Sequence, residues 1–123
     1  LQYATSELKG YDMTEMTESD IRVHPRKHIR CPVKLSVDNK PPMEAWTFDI
    51  SLGGISLIVP QAVDPGQFCV IKFDADVGGS IQSFSAIAKA VYSVSSASGE
   101  YRTGFQFHQL SAANSEFIHK LAA

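Results

Sequence analysis

Only two cysteines, Cys31 and Cys69, occur in the 123 residues, far apart and in no C-x-x-C arrangement. No secretory signal precedes them, because the first residues lack a basic start followed by an apolar block. The reading is two reduced thiols in the cytosol, at least one of them packed in the core. No apolar run approaches the roughly 20 residues that span a bilayer. Neither G-x-x-x-x-G-K-[ST] nor G-x-G-x-x-G occurs, so nothing suggests an ATP- or NAD-type loop. His24 and His28 are separated by Pro25 and followed by no second ligand pair; His108 and His119 stand alone, and no metal site is expected. The serines have no matching His/Asp arrangement, and Asp74 and Asp76 read as a solvated strand edge rather than an acid/base pair. The chain begins at Leu1 rather than Met, so it is expected to be a processed chain or a piece of a longer one.

What is present is the composition of an ordinary globular domain, 44% hydrophobic and 20% charged, long enough for one core. The net charge of −2 hides a segregation. Residues 1–20 hold five acids (Glu7, Asp12, Glu15, Glu18, Asp20) against Lys9. Residues 22–40 hold six bases (Arg22, Arg26, Lys27, Arg30, Lys34, Lys40) against Asp38. Such a local field attracts a compact anion, although a solvated basic face is the plain alternative. Residues 1–21 have weak periodicity and are expected to be a linker or N-terminal extension, with the domain proper over 22–123.

After Arg30 the pattern turns to period two. Candidate strands are Cys31–Val37, Ala45–Ile50, Gly54–Val59, Phe68–Phe73, Ser83–Val94 and a last one from Tyr101 to His108. Asn39-Lys40-Pro41-Pro42, Pro65-Gly66, Gly78-Gly79 and Ser98-Gly99 supply turns. Six short strands at even spacing argue for an antiparallel barrel or sandwich. A helix follows near 112–121, with Ser111 as N-cap, Leu110 as a staple, and Phe117, Ile118 and Leu121 on one face. Simple alternation through the second strand points Trp46, Phe48 and Ile50 into the core, together with Phe105 and Phe107 of the last strand. Thr47, Asp49 and Ser51 then face outward.

Two short motifs stand out. Arg26-Lys27-His28-Ile29-Arg30 is R-x-x-x-R, and Asp49-Ile50-Ser51-Leu52-Gly53-Gly54 is D-x-S-x-x-G. Arginine forks match phosphate oxygens and the O6/N7 edge of guanine. A carboxylate accepts from the N1–H and N2–H₂ edge of guanine, and a residue without a side chain lets a base or phosphate approach the backbone. Each motif alone has a bland reading: a surface ion pair for the first, turn hydrogen bonds and a bulge for the second. Pro25 argues against a helix across Arg26–Arg30 and for an irregular approach to the first strand.

In this order and spacing the pair resembles the PilZ domain family, bacterial receptors for cyclic di-GMP. Asp49–Val59 and Gly104-Phe105-Gln106-Phe107 extend the similarity, which covers about residues 22–121. The resemblance implies a mainly β fold, a six-stranded antiparallel barrel with a C-terminal helix, in a cytoplasmic protein or cytoplasmic domain. It implies cyclic di-GMP bound on the outer face by Arg26, Arg30, Asp49, Ser51 and Gly54, with Arg22, Lys27 and Gly53 as further candidates. It implies no catalysis and no cofactor, and a downstream protein or attached domain as partner. In the family, the residue before the first Arg bears on how many ligands bind; Pro25 there favours one, unless Arg22 substitutes. The rival readings are a PilZ-like module acting through protein contacts alone and, less favoured because most aromatics fall on core phases, a small barrel binding single-stranded nucleic acid through the basic segment.

Overall fold

The computed structural model describes residues 26–122. The expected extension 1–21, Arg22, His24 and Pro25 lie outside the described residues. Among the described residues seven strands appear: β1 Lys27–His28, β2 Pro32–Val37, β3 Met43–Ile50, β4 Gly54–Val59, β5 Phe68–Val77, β6 Ser80–Ser95 and β7 Tyr101–Phe107. Among the described residues one helix, α1, spans Ala112–Ala122. Every pairing is antiparallel: β3 with β2 and β4, β4 with β7, β7 with β6, β6 with β5, and β5 back to β2. The result is a closed six-stranded barrel with β1 outside it. Closure removes the unpaired edges that an open sheet of this length would present.

Local chemistry explains the elements. Asn39 takes the left-handed conformation (φ 61°) that ends β2, and the Lys40 amide closes the turn on the Val37 carbonyl at 3.1 Å. Gly78 and Gly79, at φ 62° and 92°, form the two-residue turn between β5 and β6, with Val77 paired to Ser80. That tight turn lets the hairpin run further than the periodicity alone suggested, to Val77 on one arm and from Ser80 on the other. Ser111 caps α1, its Oγ accepting from the Asn114 amide at 3.0 Å.

Alternation builds the interior from Val33, Leu35 and Val37 on β2, Cys69, Ile71 and Phe73 on β5, and Phe84, Ala86, Ala88 and Ala90 on β6, all buried. The helix closes the barrel with Phe117 and Ile118. The Phe117 ring lies 5.3 Å from Phe84 and 5.8 Å from Phe73, and Leu110 and Leu121 pack against the same core. Among the described residues no helix is long and apolar enough to cross a membrane.

The expected core phase of β3 is corrected. Trp46 is 39% exposed and Phe48 only half-buried, whereas Ala45 and Thr47 are buried. A bulge between Thr47 and Asp49 is the reason: Thr47 pairs with Leu57, yet Asp49 pairs with Ser56. The extra residue, Phe48, resets the phase. Ile50 faces the core as expected, while Trp46 and Phe48 turn to the outer surface. Phe105 is buried as expected, and Phe107 is half-buried at the rim.

Candidate functional site

The outer surface around β3 is organised by a break in its neighbour. β1 and β2 run along the same side of β3, Lys27 opposite Ile50 and Pro32 opposite Trp46, with Ile29–Cys31 between them. Buried Thr47 stitches this break. Its Oγ1 accepts from the Cys31 amide at 2.7 Å and donates to the Ile29 carbonyl at 2.9 Å. Its own amide donates to the Cys31 carbonyl, and the Ile29 amide to the Phe48 carbonyl. Arg30, held between those two anchored residues, is exposed, and its guanidinium lies 4.5 Å from the centre of the Trp46 ring. The same hydroxyl opposes the effect of burial, which raises the Cys31 thiol pKa.

The first motif meets the second at the other end of this strip. Arg26 Nη1 donates to Asp49 Oδ1 at 2.9 Å. The arginine side chain is 37% exposed and the carboxylate 6%, so Asp49 lies beneath Arg26 rather than open to solvent. Exposed Lys27 contributes its backbone to β1, opposite Ile50.

Ser51 is buried, and its hydroxyl is committed to a turn, accepting from the amides of Gly53 at 3.2 Å and Gly54 at 3.3 Å. The expectation that Asp49 and Ser51 sit open on the surface is thus corrected: both are buried, one by an ion pair and one by backbone donors. The Gly53 carbonyl accepts from the Phe107 amide at 3.1 Å. A Cβ on Gly54 would collide with the Phe105 carbonyl oxygen. Gly54 is therefore required by the close approach of β7, whatever else it does.

A second cation–ring contact and an aromatic edge contact complete the patch. Arg102 on β7 lies 4.3 Å over the Phe48 ring, and His28 meets the edge of that ring at 5.2 Å and 88°. Next to it, Asp49, Ser56, Gly104 and Tyr92 line up in register across β3, β4, β7 and β6. The Tyr92 ring covers Gly104 so closely that a Cβ there would overlap it, and its hydroxyl lies 3.2 Å from Ser56 Oγ. A second bulge, between Ala90 and Tyr92, turns Tyr92 outward.

The fold thus brings Arg26, Arg30 and Asp49 to one outer patch, with Ser51, Gly53 and Gly54 shaping the turn beneath its end. Thr47, Trp46, Phe48, Arg102 and Tyr92 also belong to it and were not singled out from sequence. Trp46 and Phe48 were assigned to the core by the wrong phase; Arg102 carried no signal beyond being a base two residues before Gly104. Among the described residues no group of three His, Cys, Asp or Glu side chains could hold a metal ion.

A family model of the PilZ domain matches residues 20–123. No curated relative matches the chain. Among solved structures, the Bacillus subtilis inhibitor of motility MotI/DgrA superposes with a TM-score of 0.70 at 11% identity. The match covers 80% of this chain but only 48% of that one, so the chain spans about half of that protein. The PilZ domain of YcgR from Escherichia coli, solved with cyclic di-GMP, matches at a TM-score of 0.61 and 15% identity, covering 80% of this chain and 86% of that one. The PilZ domain of CeSA from a cellulose-synthesising bacterium gives 0.55 and 17%, covering 79% and 93%. These identities speak to the fold alone. The family match, which takes in both motifs and the whole barrel, carries the conclusion that this chain belongs to the PilZ domain family.

Proposed function

We propose that this domain is a receptor for cyclic di-GMP. The ligand is bound on the outer face of the barrel through Arg26, Arg30, Asp49, Ser51 and Gly54. A change in the position of residues 22–31 is passed to a partner protein or an attached domain. The observation that carries the reading is the Arg26–Asp49 ion pair, which puts the two halves of the motif on one patch. PilZ is a family of cyclic di-GMP receptor domains, and the YcgR domain of the same fold was solved with that ligand.

The chemistry follows from an exchange of partners. The Arg26–Asp49 pair is partly solvated, so it is worth on the order of 1 kcal/mol or less. A ligand phosphate takes the Arg26 fork in its place, and the freed carboxylate accepts from the guanine N1–H and N2–H₂ edge. Arg30 is exposed on Trp46 with its in-plane donors available to phosphate or to guanine O6/N7. β1 pairs through only two residues, Lys27 and His28, so a ligand that takes Arg26 moves this segment at small cost. The test is calorimetry of the domain with cyclic di-GMP: saturable heat at micromolar concentration supports the reading, and its absence ends it.

A second reading has an observation of its own. Ser51, Gly54 and Asp49 all have structural duties in the turn, the β4–β7 contact and the ion pair. The motif would therefore persist in a module that acts through protein contacts alone. The same titration separates the two, because that module takes up no nucleotide.

A further inference from the structure

We propose that Arg102, seated on Phe48, is a second base-binding subsite that takes the other purine of the ligand by stacking. The inference rests on the receptor reading and extends its footprint beyond the two motifs. Arg102 is exposed, and among the described residues it pairs with no carboxylate. Its guanidinium instead lies 4.3 Å over Phe48, a ring fixed at its edge by His28. One face of the cation is thus backed by an aromatic ring.

Arg30 on Trp46 repeats the arrangement, with 4.5 Å between cation and ring centre. Trp46, Ile58 and Arg102 are in register across β3, β4 and β7. The two backbone positions are therefore two strand spacings apart, about 10 Å. Half-buried Ile58 forms an apolar floor between them, and Val94 continues the row beyond Arg102. A ring that carries two bases can engage both platforms at once; a mononucleotide reaches one.

The neighbours decide how the second base is read. Arg102 is flanked in its row by Ile58 and Val94, which offer no carboxylate to read a base edge; Asp49 stands in the neighbouring row and is assigned to the first base. Recognition there is by the plane of the base and tolerates adenine, while Asp49 keeps the first base a guanine. His28 belongs to β1 and supports Phe48, so a shift of β1 alters this subsite as well.

The test uses the whole chain, calorimetry, and the fluorescence of Trp46, the single tryptophan. Arg102→Ala and Arg102→Lys are titrated with cyclic di-GMP and with the hybrid cyclic dinucleotide of one guanine and one adenine. A stacking base is worth about 1–3 kcal/mol, so both variants should weaken cyclic di-GMP binding by about 5- to 150-fold. The loss should be of equal size for the hybrid, and the Trp46 response at saturation should persist. Arg102→Lys keeps the charge and loses the plane, so wild-type affinity in that variant overturns stacking. Wild-type affinity in Arg102→Ala overturns the subsite altogether. Absence of binding by the unmodified protein removes the receptor reading and the subsite together, a result distinct from either. Circular dichroism of both variants shows that the barrel is intact.

Discussion

The Arg26 guanidinium donates to Asp49 Oδ1 at 2.9 Å, across 23 positions of sequence, and so fastens β1 over the end of β3. The barrel closes without β1. Arg26→Ala should therefore cost about 1 kcal/mol or less in urea denaturation, because the freed carboxylate becomes hydrated. Hydrogen exchange should speed up at the Ile29 amide, which bonds to Phe48, and stay slow at Leu35 within β2.

Ligand recognition should be unequal among the bases. A good bidentate Arg–guanine contact is worth roughly 1–3 kcal/mol, about 5- to 150-fold in affinity. Arg26→Ala and Arg30→Ala should each weaken cyclic di-GMP binding by about one to two orders of magnitude. Asp49→Ala should weaken it and relax the preference for guanine over adenine. Lys40→Ala, an equal loss of charge in the β2–β3 turn, should matter much less. Equal losses in all four, measured by calorimetry, would reduce the site to diffuse attraction.

Thr47→Val keeps the shape of a buried side chain but removes both hydrogen bonds across the β1–β2 break. Leaving the Cys31 amide and Ile29 carbonyl without that partner should cost about 1–3 kcal/mol. Affinity for the ligand should fall too, because Arg30 is then no longer held over Trp46. Thr47→Ser, which retains the hydroxyl, should recover most of both.

Gly54→Ala should fail as a fold variant before it fails as a binding variant. The added methyl meets the Phe105 backbone, which cannot swing aside as a flexible side chain can. Overpacking of this kind costs about 1–3 kcal/mol, occasionally more. A lowered thermal midpoint without ligand is the expected readout; an unchanged midpoint would mean that β7 yields.

Burial pushes the Cys69 thiol up to about 11. The native state then holds its proton more tightly than the unfolded chain does, whose thiol titrates near its ordinary value of 9.0. Stability supplied by this group is complete below about pH 9 and is lost as pH rises towards 11. Comparing the pH dependence of unfolding in the natural protein and in Cys69→Ala checks the sign. Alkylation of Cys69 at pH 8 should be slow until the chain unfolds.

The sequence by itself determined most of the architecture. Period-two runs between turn residues are local properties, and they placed the barrel strands, the Gly78-Gly79 hairpin and the Ser111-capped helix. The two motifs were legible because their residue types and spacing are a pattern along the chain. Which side chains reach the patch was a matter for the tertiary structure. Alternation predicts a face only while the ladder runs unbroken, and two bulges break it, at Phe48 on β3 and at Val91 on β6. A bulge forms where the partner strand offers one residue against two, which no single strand reveals. The first bulge turned Trp46 and Phe48 out of the expected core; the second laid Tyr92 over Gly104. Arg102 stands 54 positions beyond Phe48 in the chain and reaches its ring because β7 closes the barrel against β4. That contact between remote residues exists only after closure, because the chain must first place β3 and β7 on either side of β4.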